Sequence, residues 1–381
     1  MRLCYVGNFA SIHMRRWATF FAKKGHDVHV ISSTAWEDSN SLGCEVHSLP
    51  APRTGSYLLD LCVTGVSMPV RVIQFRRLFQ KIAADVAHVH YLNDMALISL
   101  LSGVRPIVLT AWGSDIVDSP EKSWIRKKAV KYMVRRADLM TCDADHMKRR
   151  IVQFGANPEK VQVIFFGTDV RQFQPGRRAL ELRKQLAPDG SLLVISIRNL
   201  EPIYDVETLI RAIPIVRARF PNAMVLIAGS GSQAGFLCHL AEKLGIMNNV
   251  RFVGPLSQEE LPVYLASSDV YVSTALSDGG IAASTAEAMA SRLPVVITDV
   301  GNNSQWVEDD LHGFLVPPRS PEILAEKLMS LLRDQRLRAR MGIAGREVIV
   351  ERNNLRQQMS RMEELYLALA KGARPCKTEG G

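Results

Sequence analysis

The sequence of 381 residues contains few cysteines and no pairing pattern among them. Its six cysteines are scattered singly, at Cys4, Cys44, Cys62, Cys142, Cys238 and Cys376. Because no Cys-x-x-Cys pair occurs, neither a disulfide framework nor a cysteine-based zinc site is predicted. Isolated cysteines suit a reducing compartment, so we expect a cytoplasmic protein.

Long uninterrupted hydrophobic runs are also lacking. The most apolar stretch, from Leu58 to Ile73, is broken by Asp60, Pro69 and Arg71, whereas a spanning helix needs about 20 predominantly apolar residues. The amino terminus, from Met1 to Gly7, has neither the apolar core nor the cleavage site of a signal peptide. It is predicted to form a first strand that stays with the protein.

Aromatic residues make up only 7% of the chain, with 22% charged and 47% hydrophobic residues. This composition is that of an ordinary globular protein. A chain of this length exceeds what one hydrophobic core supports, so two domains are expected. The polar stretch from Gln172 to Arg178 separates them, which predicts domains over 1–171 and 172–350. The tail after Gly372 is expected to be disordered.

Positive charge is in excess, with a formal net charge of +9 at pH 7. Cations concentrate between Lys122 and Arg136, where Lys127, Lys131 and Arg135 recur at helical spacing beside an apolar stripe of Ile125, Ala129, Met133 and Ala137. Such a helix either rests on an anionic membrane surface, making the protein peripheral at the inner membrane, or presents a solvated basic face. Nucleic acid is not an expected partner, because aromatic residues are not interleaved for base stacking.

Short apolar strands alternate with helical stretches in both halves of the chain. The first half has predicted strands at Arg2 to Val6, Val28 to Ser32, Val86 to His90, Ile107 to Thr110, Leu139 to Cys142 and Val161 to Ile164. The second half has them at Leu192 to Ile197, Ala223 to Ala228, Val250 to Val253, Val270 to Ser273 and Val295 to Thr298. This alternation predicts an α/β fold of two facing, doubly wound, Rossmann-like domains, with the ligand site in the cleft between them.

Residues 269 to 316 carry most of the functional information. The strand that ends near Ser273 runs into a loop with Gly279 and Gly280, and a helix is predicted from near Ile281. Free backbone N–H groups at the start of a helix favour an anion, here a diphosphate. Glu287 follows about two turns later, where a carboxylate can accept both hydroxyls of a ribose.

This stretch resembles glycosyltransferase family 4, the retaining glycosyltransferases of the GT-B fold. The family pattern is Glu-x7-Glu followed by Ala-Met-Ala. Glu287 matches the second Glu, and Ala288, Met289 and Ala290 follow it, but Gly279 stands where the first Glu belongs. Either Asp278, one residue earlier, takes over the contact to the donor sugar, or backbone amides alone make that contact.

The resemblance extends over nearly the whole chain. Further segments similar to the family are Asp85 to Tyr91, Pro106 to Asp115, Val163 to Asp169, Ile197 to Leu200 and Ala228 to Gly231. Two departures stand out. Trp112 occupies a position where many members have His, and Ile203 and Tyr204 stand where a Lys is expected after Arg198.

The resemblance implies a metal-independent retaining glycosyltransferase without cofactor, acting on a nucleotide-sugar donor. It implies catalytic roles for Arg198, Asp278 and Glu287, and donor binding by Gly229, Gly231, Gly254, Gly279, Gly280, Ile281, Glu287 and Tyr204. His13, Trp112 and Asp115 are assigned to the acceptor side. The acceptor is expected to be a carbohydrate or lipid-linked molecule in cell-surface polysaccharide, lipopolysaccharide or glycolipid biosynthesis. In this family the last helix, here 355–370, packs back on the N-terminal domain.

Several individual residues have a second interpretation. Arg198 either clamps the donor diphosphate or forms a surface ion pair. Asp115 either orients the acceptor hydroxyl or caps a helix. His88 and His90 alternate along one strand and are expected to make hydrogen bonds rather than to bind a metal, because no further ligand accompanies them.

Other activities remain as alternatives. Gly229 to Ala234 fits a relaxed dinucleotide-binding pattern, yet the next strand, Val250 to Gly254, lacks the acid that a nicotinamide site requires, so an oxidoreductase is disfavoured. A sugar-nucleotide epimerase shares the two-domain plan. A catalytically weak or inactive sugar-nucleotide-binding protein is the alternative that Gly279 and the missing Lys favour.

Overall fold

A computed structural model describes residues 1–36, 40–49, 57–117, 119–187, 190–278 and 280–373. The chain divides into two compact units. The first comprises Met1–Phe166 together with the segment from Gln358, and the second comprises Gly167–Gln357. Within the described ranges, no helix is long and apolar enough to cross a membrane.

The first unit is built on an eight-stranded sheet. Its strands are β1 (Arg2–Gly7), β2 (Asp27–Ser32), β3 (Asn40–Ser41), β4 (Cys44–Ser48), β5 (Val86–His90), β6 (Ile107–Thr110), β7 (Leu139–Cys142) and β8 (Val161–Val163). They lie in the order β3-β4-β2-β1-β5-β6-β7-β8. All described pairings are parallel except the short β3–β4 pair. The carboxyl ends of the parallel strands therefore share one edge.

Helices cover this sheet because its strands are apolar on both faces. They are α1 (Ile12–Lys23), α2 (Tyr57–Ile82), α3 (Asp94–Leu101), α4 (Trp124–Arg136) and α5 (Asp145–Gln153). All five residues of β5 are buried, as expected for a parallel strand enclosed by helices. The core joins Val89 and Leu109 from the strands to Phe75 and Met95 from the helices.

The second unit has a six-stranded, all-parallel sheet in its described part. Its strands are β9 (Leu193–Ser196), β10 (Met224–Ala228), β11 (Val250–Gly254), β12 (Val270–Ser273), β13 (Val295–Thr298) and β14 (Gly313–Val316), in the order β11-β10-β9-β12-β13-β14. The order reverses direction at β9 and β12, which makes the carboxyl ends of these two strands the place where a ligand is expected.

Seven further helices follow the first unit's strands along the chain. They are α6 (Leu180–Leu186), α7 (Val206–Arg217), α8 (Ala234–Lys243), α9 (Glu260–Ser267), α10 (Ala283–Ala290), α11 (Pro321–Arg333) and α12 (Gln335–Arg352). Leu209, Leu237 and Leu324 join β-strand valines in the core of the second unit. The last helix, α13 (Leu355–Ala373), begins in the second unit and continues into the first.

Helix α13 is anchored to the first sheet by Tyr366. The Tyr366 hydroxyl lies 3.0 Å from the hydroxyl of Tyr5 on β1 and also hydrogen-bonds Nδ1 of His88 on β5. All three side chains are buried. The carboxyl-terminal helix is therefore part of the core of the first unit.

The eleven strands expected from the sequence are present, with ends within two residues of the predicted ones. Three strands were missed, namely β3, β4 and β14. β3 has only two residues and β4 alternates apolar with polar residues, so neither has the apolar run that marks a buried strand. β14 is an apolar run of four residues, and its pattern could have predicted it. Helix α10 begins at Ala283 rather than near Ile281, and residues 374–381, where a disordered tail was predicted, lie outside the described residues.

Candidate functional site

Two residues from separate strand ends meet at the carboxyl edge of the second sheet. Arg198 follows β9, and Asp278 follows β12, which is the direct neighbour of β9. Nη2 of Arg198 donates to Oδ1 of Asp278 over 2.7 Å, and their side chains are only 9% and 8% exposed. Arg198 is thus paired in a buried site, so the alternative of a surface ion pair does not apply, and its role at the donor diphosphate stays a prediction.

Two further groups fix the Arg198 guanidinium. Its Nη1 donates to Oγ of Ser284 over 3.3 Å, and Ser284 also accepts a bond from the hydroxyl of Tyr271. The guanidinium lies 4.4 Å from the ring centre of Tyr204. Burial works to lower the pKa of Arg198, but the neighbouring Tyr271 and Asp278 raise it above its ordinary value, so the cation persists at every physiological pH.

Tyr204 ends a short 3₁₀ helix, Pro202–Tyr204, at the position where the family Lys is missing. Its backbone carbonyl accepts from Oγ1 of Thr274, and the Ile203 carbonyl accepts from the N–H of Leu276. These bonds attach the 3₁₀ helix to the loop after β12. The loop that carries Asp278 is therefore bonded to the 3₁₀ helix whose Tyr204 ring packs against Arg198.

The loop after β12 is only partly described. Gly279, predicted to contact the donor, lies outside the described residues. Gly280 and Ile281 are buried, and Ile281 is 5% exposed. Helix α10 starts two residues later, with Ala282 as an N-cap whose side chain makes no capping hydrogen bond. The first N–H groups of α10 consequently need another partner.

Glu287 lies in the middle of α10 and is 3% exposed. Ala286, Ala288, Met289 and Ala290 have no exposed surface, so the small residues of the motif serve to bury the helix. A carboxylate on a helix packed so closely is held in one orientation, which suits a binding group better than a mobile surface acid. Its assignment to the ribose stays a prediction.

Gly229 and Gly231 follow β10 and pack against the segment after β9. A Cβ atom at Gly229 would lie 2.5 Å from the Arg198 carbonyl oxygen, and one at Gly231 would lie 2.3 Å from the Leu200 carbonyl oxygen. The N–H of Gly229 donates to the Gly254 carbonyl, and that of Gln233 donates to the Leu200 carbonyl. These glycines therefore support the backbone that carries Arg198. The amides of Gly229 and Gln233 already donate to protein carbonyls, whereas a dinucleotide site would need amides of this loop for a phosphate.

In the first unit, Asp115 organises two loops at the carboxyl edge. Its Oδ2 accepts from the N–H of Leu92 over 2.9 Å, and its Oδ1 accepts from the N–H groups of Trp112 and Gly113 over 3.0 Å. Asp115 has no exposed surface, and burial raises its pKa. Its carboxylate joins the segments after β5 and β6.

His13 and Trp112 lie together above the ends of β1 and β6. Their rings stack at 4.9 Å with an angle of 24°. His13 belongs to the first turn of α1. Burial, followed by the charge of Arg16, lowers the pKa of His13 to about 4. Both side chains, predicted to face an acceptor, thus form one neutral aromatic pair.

The two strand histidines differ. His88 bonds Tyr366 through Nδ1 and Thr110 through Nε2, so the prediction of hydrogen bonding is confirmed for it. His90 is 4% exposed, and neither ring nitrogen has a hydrogen-bond partner among the described residues, so the prediction is wrong for it. Burial and the neighbouring His13 lower the pKa of His90 to about 3.

Asp143 is a residue that sequence reasoning missed. It follows β7 directly, and its Oδ1 is buried without a hydrogen-bond partner among the residues that the structure describes. Burial, with the charge of Asp115, raises its pKa to about 7. The available signal was an acid placed immediately after an apolar strand, a position at the ligand edge of a parallel sheet.

Both halves of the chain match known glycosyltransferase families. Residues 178–348 match the family described as Glycosyl transferases group 1. Residues 2–144 match the family described as Glycosyl transferase 4-like. Together, the two matches include Arg198, Asp278 and Glu287 of the second unit and His13, Trp112 and Asp115 of the first.

Individual relatives and structures agree with these matches. The chain is 31% identical over 285 residues to a D-inositol 3-phosphate glycosyltransferase of Corynebacterium glutamicum, covering 69% of this chain and 67% of the relative. It is 26% identical over 258 residues to a GDP-mannose-dependent alpha-(1-6)-phosphatidylinositol monomannoside mannosyltransferase of Mycobacterium tuberculosis, covering 65% and 66%. The crystal structure of Anabaena HepE in complex with UDP superposes with a TM-score of 0.79 at 18% identity, over 97% of this chain and all of that one, which is a likeness of fold.

Proposed function

Because this chain belongs to the group 1 glycosyltransferases of the GT-B fold, the family 4 type, we propose that it transfers a sugar with retention of configuration. The donor is a nucleoside diphosphate sugar, and the acceptor is a hydroxyl of a carbohydrate or lipid-linked molecule. The observation that supports this proposal best is the buried ion pair of Arg198 and Asp278, with Ser284 bonded to Arg198, at the carboxyl edge of the second sheet.

In the proposed reaction, Arg198 and the first N–H groups of α10 bind the donor diphosphate. Both supply positive charge where negative charge grows as the nucleoside diphosphate leaves. Asp278 holds Arg198 in place before the donor binds, since its carboxylate already accepts from Nη2. Glu287 binds the ribose hydroxyls. Tyr204 stands at the position of the family Lys, and its ring packs against the guanidinium of Arg198.

On the acceptor side, we assign the contact with the sugar to the stacked pair of His13 and Trp112. Flat aromatic surface suits the apolar face of a sugar ring. Asp115 acts through its bonds to the Trp112 and Gly113 amides, so it positions this surface. With a pKa near 4, His13 is neutral at physiological pH and can accept or donate a hydrogen bond.

Calorimetric titration with uridine, guanosine and adenosine diphosphate sugars tests the donor site. One relative depends on GDP-mannose, and one structural neighbour binds UDP, so both bases belong in the panel. We expect one donor to bind, and Arg198→Ala and Glu287→Ala each to weaken it by tenfold or more. Arg217→Ala is the matched control, because Arg217 only bonds the Gly245 carbonyl at the far end of α7.

Product analysis separates the enzyme classes. A retaining transferase yields an α-linked product from an α-linked donor only when acceptor is present, which NMR of the anomeric proton detects. An epimerase would convert the donor without acceptor. Failure of every donor to bind would contradict the proposal and favour a non-catalytic binding protein.

We also propose that α4 contacts an anionic membrane, which would bring the active unit to a lipid-linked acceptor. At the amino end of this helix Trp124 is 67% and Ile125 is 61% exposed. Lys128 lies 4.7 Å from the Trp124 ring centre, and Arg126 is exposed beside it. The buried face of α4 is instead Val130, Met133 and Val134. Exposed aromatic and apolar side chains with cations around them suit a lipid interface.

Sedimentation with vesicles containing anionic phospholipid tests this contact. We expect binding at low ionic strength that weakens as salt is added. Trp124→Ser combined with Ile125→Ser should lose most of it. Leu180→Ser is the control, because Leu180 is also 67% exposed but lies in the second unit. Equal binding by the double variant and the control would rule out α4 as the contact.

A further inference from the structure

Three potential metal ligands converge at the β2–β4 edge of the first sheet. His29 of β2 lies opposite Glu45 in the parallel register, and His47 follows two residues after Glu45 on the same face of β4. The rings of His29 and His47 stack with an angle of only 9°. His29 is 8% exposed, whereas Glu45 is open to solvent, so an ion can reach the cluster from outside.

The distances between these ligand atoms are those of a tetrahedral site. Nδ1 of His29 lies 3.3 Å from Nε2 of His47 and 3.5 Å from Oε2 of Glu45. Nε2 of His47 lies 3.4 Å from Oε1 of Glu45. Zinc binds nitrogen and oxygen at about 2.0–2.1 Å, and tetrahedral angles then separate two ligand atoms by about 3.3 Å. Each histidine nitrogen is thus close to a different carboxylate oxygen of Glu45, and one ligand atom from each residue lies within 4.8 Å of the others.

Asp27 gives His29 the correct tautomer for binding a metal. Its Oδ1 lies 3.2 Å from Nε2 of His29, the ring nitrogen that points away from the cluster. A carboxylate accepts a hydrogen bond, so Nε2 carries the proton and Nδ1 presents its lone pair to His47 and Glu45. A carboxylate behind a ligating histidine is the usual outer partner in metal sites.

Hydrogen bonding within the cluster can join the two histidines but leaves Glu45 to solvent. If Nε2 of His47 donates its single proton to Nδ1 of His29, the Glu45 carboxylate oxygens are left facing a lone pair. A cation at the centre satisfies all three ligands at once. We propose that His29, Glu45 and His47 bind a divalent transition metal of the zinc type, with a fourth position open to water.

The place of this cluster in the fold assigns it a structural role. His29 is the third residue of β2, and Glu45 and His47 are the second and fourth residues of β4, so the cluster lies within the strands rather than beyond their ends. The candidate catalytic residues lie beyond the carboxyl ends. The metal would join β2 to β4, a short and partly polar strand near the edge of the sheet, and this inference is independent of the proposed function.

Zinc titration of the untagged, chelator-treated chain against a chromophoric chelator tests the site. We expect one zinc ion per chain with micromolar or tighter affinity and a rise in melting temperature, because a ligand that binds only the folded state stabilises it. Cobalt(II) provides a second readout, since four-coordinate cobalt absorbs visible light far more strongly than the hydrated ion. No binding, or a spectrum like that of hydrated cobalt, would overturn the proposal.

Variants locate the binding. His47→Ala and Glu45→Gln change side chains that are 21% and 53% exposed, and each should weaken zinc binding by at least about tenfold. His239→Ala is the matched control, because His239 is 79% exposed on α8 beside Glu242. Unchanged affinity in both cluster variants would assign the metal elsewhere and defeat the proposal.

Asp27→Asn tests the orienting role separately. Loss of an outer carboxylate typically costs 10- to 100-fold in metal affinity. We expect a loss in that range, with the cobalt spectrum keeping its four-coordinate form because the three ligands remain. A variant that binds zinc as tightly as the native chain would remove Asp27 from the site.

Discussion

At the scale of single residues, the pairing of Arg198 with Asp278 has the largest consequence for function. The family resemblance left open whether Asp278 replaces the missing Glu at Gly279. In the structure its carboxylate is bound to Arg198, and both side chains are buried. A buried cation keeps its charge only with such a partner, which explains why an acid is needed at 278 when no donor is bound.

Asp278→Asn should therefore change the stability of the fold and the affinity for a nucleoside diphosphate in opposite directions. We expect the free energy of unfolding to fall by about 3 kcal/mol, because removing one partner leaves a buried charge uncompensated. Binding of a nucleoside diphosphate without sugar should tighten severalfold, because Arg198 is no longer neutralised. Thermal unfolding and calorimetry measure the two effects.

Asp334→Asn is the control for that variant, because Asp334 caps α12 at its amino end and Asn caps equally well. Weaker binding of the bare diphosphate by Asp278→Asn would contradict the neutralising role. It would favour a direct contact between Asp278 and the donor.

His90 makes the first unit sensitive to acid. Its pKa of about 3 in the folded chain lies far below the ordinary 6.5, so the unfolded chain binds a proton first as the pH falls. The stability contribution is complete above about pH 6.5 and is lost progressively towards pH 3. His90→Phe should remove this term, amounting to about 2 kcal/mol at pH 5.

Melting temperatures of the native chain and of His90→Phe at pH 7.5 and pH 5 measure this effect. The native chain should lose more stability than the variant over this interval. His239→Phe serves as a control, because His239 is exposed. Parallel losses in all three proteins would show that His90 does not titrate as described.

At the scale of elements, the loop after β13 fixes the loop after β12. Gly301 has a φ of +57°, and a Cβ atom there would lie 1.8 Å from the Asp278 carbonyl oxygen. Only glycine combines this backbone conformation with so close an approach. The position of Asp278, and through it of Arg198, thus depends on a glycine in a neighbouring loop.

Gly301→Ala should move the Asp278 loop and weaken donor binding by tenfold or more. The backbone conformation alone costs about 1–2 kcal/mol of stability. Gly176→Ala is the matched control, because a Cβ atom at Gly176 meets nothing within 4 Å. Calorimetry measures donor affinity in both variants, and equal affinity would contradict this account.

At the scale of the whole molecule, the last helix of the chain completes the core of the first unit. Tyr366 of α13 bonds Tyr5 and His88 and is fully buried, although 361 residues separate it from Tyr5 in the sequence. The first unit therefore cannot complete its core until the second unit has been synthesised. Such long-range contacts slow folding.

Tyr366→Ala should destabilise the first unit by about 4 kcal/mol, because it removes a large buried ring and leaves His88 without one of its partners. Hydrogen exchange should rise in β1 and β5, while the strands of the second unit keep their protection. Leu367→Ala, at a side chain that is 44% exposed on the same helix, is the control. A uniform rise across both units would contradict this assignment.

The sequence by itself determined the strands that are buried on both faces, such as β5 and β12, because a continuous apolar run has one stable place in a parallel sheet. It also determined the family, through the residues around Glu287. It did not reveal β4, in which Glu45 and His47 alternate with apolar residues. A half-buried strand with this many polar residues has the same sequence pattern as a loop.

Only the tertiary structure decided which of the predicted site residues meet. Arg198 and Asp278 are 80 residues apart in the chain, and they pair because β9 and β12 are neighbours in the sheet. His13 stacks on Trp112 because the strand order places β1 and β6 on either side of β5. His29, Glu45 and His47 converge only through the register of β2 and β4. Residue types and strands are local properties, whereas partners depend on strand order, which no local pattern records.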